Sequence, residues 1–175
     1  MIINSMKKEK IRILLILMTS LTAILIVSFT LGREWYEGKS QSLLSFGLIH
    51  FSGYLFFLLM PVEVAYIYYL TFFSDLEMFV VALATATVAQ LIDYFIGISV
   101  STTIINNLVG EKRILKAEKH ILKYGNLTIL LFNLFPLSSS VIAVSAGILK
   151  YPFKGFIINS TVGLVIKYVV LTLIF

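Results

Sequence analysis

Three ionisable side chains, Glu63, Asp93 and Lys167, stand alone inside long apolar stretches. At membrane depth an ionised group costs at least about 2.5–3.5 kcal/mol unless it is paired or wetted, so each needs compensation. Glu63 follows Pro61 by two residues. Proline removes an N–H and interrupts a helix. A half-helix restarting there aims free N–H groups and the positive end of its dipole at the carboxylate or at an anionic ligand. Glu63 is therefore either a helix cap or a titratable carboxylate lining a cavity. Asp93 shares a helical stripe with Ala86, Gln90, Gly97 and Ser101, small and polar residues at offsets of three and four. Such a stripe lines a polar interior or packs helices closely. Lys167 lies on one face with Asn159 and Gly163. It is expected to pair with Glu63 or Asp93, or to snorkel outward.

A second break lies at Asn133, Pro136 and the serines Ser138, Ser139 and Ser140. No G-x-S-x-G motif surrounds these serines, so embedded hydrolysis is not expected. His50 and His120 are too few and too far apart for a metal site, and neither receives a catalytic role. The absence of cysteine removes disulfides, thiolate ligands and thiol nucleophiles. The reading is of a non-enzyme without a cofactor.

The elements that carry these residues follow from composition. Of 175 residues 59% are hydrophobic and 13% charged, with mean hydropathy +0.97, which excludes an ordinary soluble domain. Of the 23 charges, 14 basic and 9 acidic, all but Glu63, Asp93 and Lys167 fall in five short islands. Residues 13–32 are free of charge and long enough to span; no small-residue cleavage site follows, so they are expected to be a retained anchor. Residues 43–73 are interrupted at Pro61 and Glu63, and residues 124–149 at Asn133 and Pro136. Each is expected to be a re-entrant hairpin followed by a span, at residues 78–104 and 156–175. With both hairpins returning to the side they entered, 11 of the 14 basic residues lie on one face, which the positive-inside rule makes cytoplasmic.

The expected architecture is all-α: an anchor and link over residues 1–42, then an inverted repeat of hairpin plus span over residues 43–175. Broken helices at corresponding places in inverted repeats point to a transport site near the midplane. The residues assigned to it are Pro61, Glu63, Gln90, Asp93, Asn133, Pro136, Ser138, Ser139 and Lys167. Between the halves, Lys112, Arg113, Lys116, Lys119 and Lys123 oppose Ile114, Ala117 and Ile121 on an amphipathic helix. Such a helix gathers anionic headgroups at about 1 kcal/mol per basic residue near the surface, or simply records topology. The basic residues do not form a separate domain, so lipid, and not nucleic acid, is the expected partner.

The sequence resembles the DedA superfamily, also called the VTT or SNARE-associated membrane protein family, and particularly its short YqaA-like branch. The resemblance rests on Pro61-Val62-Glu63, Tyr94-Phe95-Ile96-Gly97, Tyr124-Gly125 and Asn133-Leu134-Phe135-Pro136. It continues in Ala146-Gly147, Tyr151 to Phe156, and Gly163 with Lys167-Tyr168. It implies opposed re-entrant hairpins and movement of phospholipid or polyprenyl phosphate, with dependence on the proton gradient. The chain departs from the family's Arg-Phe-x-Pro-x-x-Arg pattern, with Asn133 and Ser139 at the arginine positions, and has Phe51, beside His50, where the family carries an acid. The roles of those residues therefore do not carry over.

The expected function is a flippase or scramblase of the cytoplasmic membrane, multi-pass, with a cytoplasmic N-terminus. Membrane lipids are its partners, protons a candidate co-substrate, and homo-oligomers compatible. A proton- or ion-coupled solute transporter using Glu63 and Asp93, and a non-transporting scaffold, are the rivals.

Overall fold

The computed structural model describes residues 41–55, 62–100, 105, 111–135 and 139–175. The expected anchor at residues 13–32 and the site residues Pro61, Pro136 and Ser138 lie outside these. Seven helices and no strands occur among the described residues: α1 Leu43–Leu55, α2 Val62–Leu70, α3 Asp75–Ser99, α4 Glu111–Tyr124, α5 Asn126–Leu134, α6 Ser139–Ile148 and α7 Phe153–Ile174.

Local chemistry sets the boundaries. Ser74 and Glu77 form a capping box: the Ser74 hydroxyl accepts the Glu77 N–H at 3.4 Å and the Glu77 carboxylate accepts the Ser74 N–H at 3.1 Å. This starts α3 three residues before the apolar run expected to begin at Met78, with Asp75 and Glu77 suiting the helix dipole. Gly125, at φ +53°, separates α4 from α5. A Schellman turn closes α6, with the Tyr151 N–H on the Ala146 carbonyl at 2.8 Å and Lys150 at φ +50°.

Among the described residues two helices, α3 and α7, are long and apolar enough to cross a membrane. Their outward faces are themselves apolar: Leu76, Val80, Val88 and Phe95 on α3, and Ile158, Val162, Val169 and Leu173 on α7, are all exposed. Helices that turn an apolar face outward along their length belong in an apolar surround. By contrast α4 buries Ile114, Ala117 and Ile121 under an exposed basic face.

Contacts give the chain directions. Gly53 meets Val62 while Phe46 meets Tyr66 and Tyr69, so α1 and α2 run antiparallel. Glu63 meets Lys167 and Tyr66 meets Thr172, so α2 runs with α7. Tyr94, late in α3, stacks on Phe156, early in α7, so those two are antiparallel. Gly155 meets Asn126 and Gly163 meets Leu130 and Asn133, so α5 runs with α7. At the start of α6, Ser140 reaches the Tyr54 carbonyl near the end of α1; near its end, Gly147 meets Gly97 near the end of α3. Thus α6 runs with α3, opposite to α5.

Glycine makes the closest of these approaches. A Cβ on Gly97 would stand 2.2 Å from the Val144 carbonyl oxygen, and one on Gly147 would stand 2.1 Å from that of Tyr94. Both neighbours are backbone, which cannot swing aside. Gly97→Ala and Gly147→Ala are each expected to destabilise the purified protein by about 1–3 kcal/mol. Gly47→Ala, whose new methyl would meet Val81 at an ordinary 3.4 Å, is expected to change stability by less than about 1 kcal/mol. Thermal unfolding in detergent distinguishes them.

Candidate functional site

Lys167 is 5% exposed, in the interior of α7. Its ammonium donates to Glu63 Oε1 at 3.0 Å and to the Tyr54 hydroxyl. Of the sequence expectations for Lys167, the pairing with Glu63 forms, the pairing with Asp93 does not, and the side chain is buried instead of snorkelling. Glu63 remains one-fifth exposed, in the first turn of α2. Three elements hold the pair: α2 supplies the acid, α7 the base and Tyr168, and α1 Tyr54.

From Tyr54 the polar contacts continue inward. Its hydroxyl lies 2.8 Å from that of Tyr168, which lies 2.6 Å from His50 Nε2; His50 Nδ1 lies 2.8 Å from Thr85 Oγ1. The donor directions follow from one fixed end. Thr85 donates to the Val81 carbonyl at 2.7 Å, so its oxygen must accept from His50 Nδ1–H. A neutral His50 then accepts at Nε2 from Tyr168, Tyr168 accepts from Tyr54, and Tyr54 accepts from Lys167. Every hydroxyl proton is used once, in one direction, from α7 through α1 to α3. A doubly protonated imidazole would leave a hydroxyl without an acceptor, so the network selects the neutral Nδ1–H tautomer.

A second cluster joins the remaining half. Gln90 Nε2 donates to Asn133 Oδ1, and Asn133 Nδ2 donates to the Ile129 carbonyl at 2.8 Å and to Ser160 Oγ at 3.4 Å. Gln90, Asn133 and Ser160 are buried. Ser139 is buried at the start of α6, and its neighbour Ser140 donates to the Tyr54 carbonyl at 2.8 Å. Asp93 is wholly buried on the same face as Ala86, Gln90 and Gly97, and neither carboxylate oxygen has a hydrogen-bond partner. The stripe from Ala86 to Gly97 thus faces inward, without the serine or threonine partner that a purely structural Asp93 would take; Ser101 lies outside the described residues.

On α4, Lys112, Arg113, Lys116, Lys119 and Lys123 are exposed, and the Lys123 ammonium sits 4.8 Å from the Tyr124 ring centre. Partial burial of Glu118 on this helix raises its carboxyl above the usual range. No group of three His, Asp or Glu side chains that could hold a metal occurs among the described residues.

The model of the VTT domain matches residues 45–175, which contain every one of these contacts. The chain belongs to the VTT domain family, the DedA family of membrane proteins. It is also similar to two proteins named alkaline phosphatase-like protein. One, from Lactococcus lactis subsp. cremoris (strain MG1363), is 33% identical over 116 residues, 59% of this chain and 54% of the relative. The other, from Lactococcus lactis subsp. lactis (strain IL1403), is 32% identical over the same length. The VTT chain spans about half the length of these curated relatives. No solved structure matches it.

Sequence reasoning gave no site role to His50, Tyr54, Thr85 or Tyr168. A signal existed: His50 and Tyr54 are one helical turn apart in an apolar segment, where an ionisable side chain has the same standing as Glu63 or Lys167. Removing one member of the buried pair strands the other. Lys167→Met is expected to cost about 3 kcal/mol, and Lys167→Met with Glu63→Leu to recover most of that loss. A double-mutant cycle by thermal unfolding reads the coupling; a value near zero would mean that the two charges do not sense each other.

Proposed function

We propose that this VTT-domain protein moves a lipid with a phosphate-bearing headgroup across the cell membrane, as a flippase or scramblase. In this reading α1–α2 and α5–α6 are two re-entrant hairpins entering from opposite faces, each followed by a span, α3 or α7. The described lengths of these helices, 13, 9, 9 and 10 residues, are each shorter than the about 20 residues needed to cross an apolar core about 30 Å thick. Their opposed directions support the inverted repeat. So do the polar contacts: His50 of α1 bonds to α3 and α7, and Asn133 of α5 bonds to α7 and α3.

The observation that carries the proposal is the convergence of the two helix pairs on a buried charge pair. Ser140 of α6 binds the carbonyl of Tyr54 in α1, and the Tyr54 hydroxyl binds Lys167, which holds Glu63. Interrupted backbone at this depth needs protein or a wet cavity beside it. A headgroup passing between the tips, with its acyl chains left in lipid, would meet an ammonium, a carboxylate and hydroxyls. Pro61, Pro136 and Ser138 belong to the tips in this reading, with Asn133 and Ser139 beside them. Glu63 is the carboxylate suited to a proton-coupled step, because it is the more exposed member of its pair.

The basic face of α4 would gather anionic headgroups on the cytoplasmic side, where the positive-inside rule also puts the N-terminus. A phosphate-bearing substrate agrees with the name of the Lactococcus relatives. Reconstitution with fluorescent phospholipid is the test. Translocation is expected to rise above that of empty liposomes, and Glu63→Ala to lower it at least about tenfold, equivalent to about 1.4 kcal/mol in the barrier. No rise, with Glu63→Ala matching wild type, would reject lipid movement. pH-dependent solute flux without lipid movement would instead make the protein a small-solute transporter.

A further inference from the structure

We propose that Asp93 and Gln90 form a binding site for a monovalent metal cation, with Na⁺ as the fitting ion. The inference is independent of lipid movement and goes beyond it. Among the described residues, the buried side-chain atoms without a partner are Asp93 Oδ1 and Oδ2, Gln90 Oε1 and Ser145 Oγ. All four are oxygens, and no buried side-chain nitrogen shares that condition. The missing partner is therefore electropositive. An anion or an acceptor would satisfy none of the three acceptor oxygens on α3.

The orientation of Gln90 is not arbitrary. Asn133 spends its amide N–H groups on the Ile129 carbonyl and Ser160, so it presents its oxygen to Gln90. Gln90 must answer with Nε2, which leaves Oε1 as the free end. Asp93 follows Gln90 by three residues, so the two side chains are neighbours on one face of α3. Asp93 is 0% exposed and Gln90 1%. Ser145, also 0% exposed, belongs to α6, which meets α3 backbone to backbone at Gly97 and Gly147.

An ionised carboxylate without a partner cannot be held in such a place at acceptable cost, so Asp93 holds either a proton or a metal cation. Lys167 does not relieve it, being committed to Glu63 and Tyr54. A donor set made of oxygen alone selects a hard cation over one that seeks nitrogen or sulfur. A single carboxylate balances one positive charge, whereas a divalent ion would leave an excess charge buried.

The test is thermal unfolding of the full chain in detergent, at one fixed pH, in NaCl against equal choline chloride. Saturating Na⁺ is expected to raise the wild-type unfolding temperature by about 5 °C and to leave Asp93→Asn unchanged. Asp93→Asn keeps the side-chain shape and removes the charge. If it does not fold, Gln90→Met decides: a half-saturating Na⁺ concentration raised at least about threefold upholds the site, and an unchanged one overturns it. A wild type that does not respond to Na⁺, or a response that survives in Asp93→Asn, also overturns it. Because the readout is ion binding, failure of the site and failure of lipid movement are separately visible.

Discussion

The structure depends on how an apolar surround deals with a buried ammonium. Lys167 lies inside a largely apolar helix and is 5% exposed. Its charge is tolerable because one carboxylate and one phenol lie within bonding distance. That phenol needs an acceptor in turn, which Tyr168 supplies; Tyr168 needs His50, and His50 needs Thr85. One buried charge thus specifies contacts among α1, α2, α3 and α7. Apolar packing alone would bring these helices together without fixing which atoms face one another.

What the sequence disclosed followed the same logic. Charge islands and apolar lengths located α3 and α7 to within a few residues, because a span is a local property of composition. The Lys167–Glu63 contact was one of two pairings that opposite charges in apolar segments allowed. His50 was missed because its partners lie 35 and 118 residues away, and nothing local says that a histidine and a tyrosine will meet. The helical stripe through Asp93 correctly faced inward. Periodicity gives a direction and not a neighbour, so it could not say that Asp93 would arrive there without a partner. Gly97 and Gly147 stand in separate motifs, and their reciprocal contact exists only after α3 and α6 have packed.

The second constraint is steric. Where α6 crosses α3, each backbone occupies the space that a Cβ on the other would need, so the helices cannot slide without separating. Gly163 gives α7 a similar close approach to α5, with the Leu130 carbonyl 2.6 Å from where a Cβ would stand. Both contacts are made by the later hairpin, α5–α6, against a span. In the earlier hairpin, α2 meets the span α7 through the ends of side chains, Glu63 with Lys167 and Tyr66 with Thr172 at 2.6 Å.

That difference bears on how the proposed translocation would proceed. A backbone-to-backbone glycine contact has one arrangement, whereas a contact between flexible side-chain ends can be exchanged for another partner at small steric cost. Opening between α2 and α7 would cost the Glu63–Lys167 pair, and a phosphate-bearing headgroup could repay that cost by taking the place of Glu63 at the ammonium. Opening between α3 and α6 would offer no such exchange, because Gly97 and Gly147 have no polar ends to satisfy. In the proposed mechanism, then, α5, α6 and the adjoining parts of α3 and α7 are the frame. The part that moves is α2, and the Lys167–Glu63 contact sets the energy that a substrate must match.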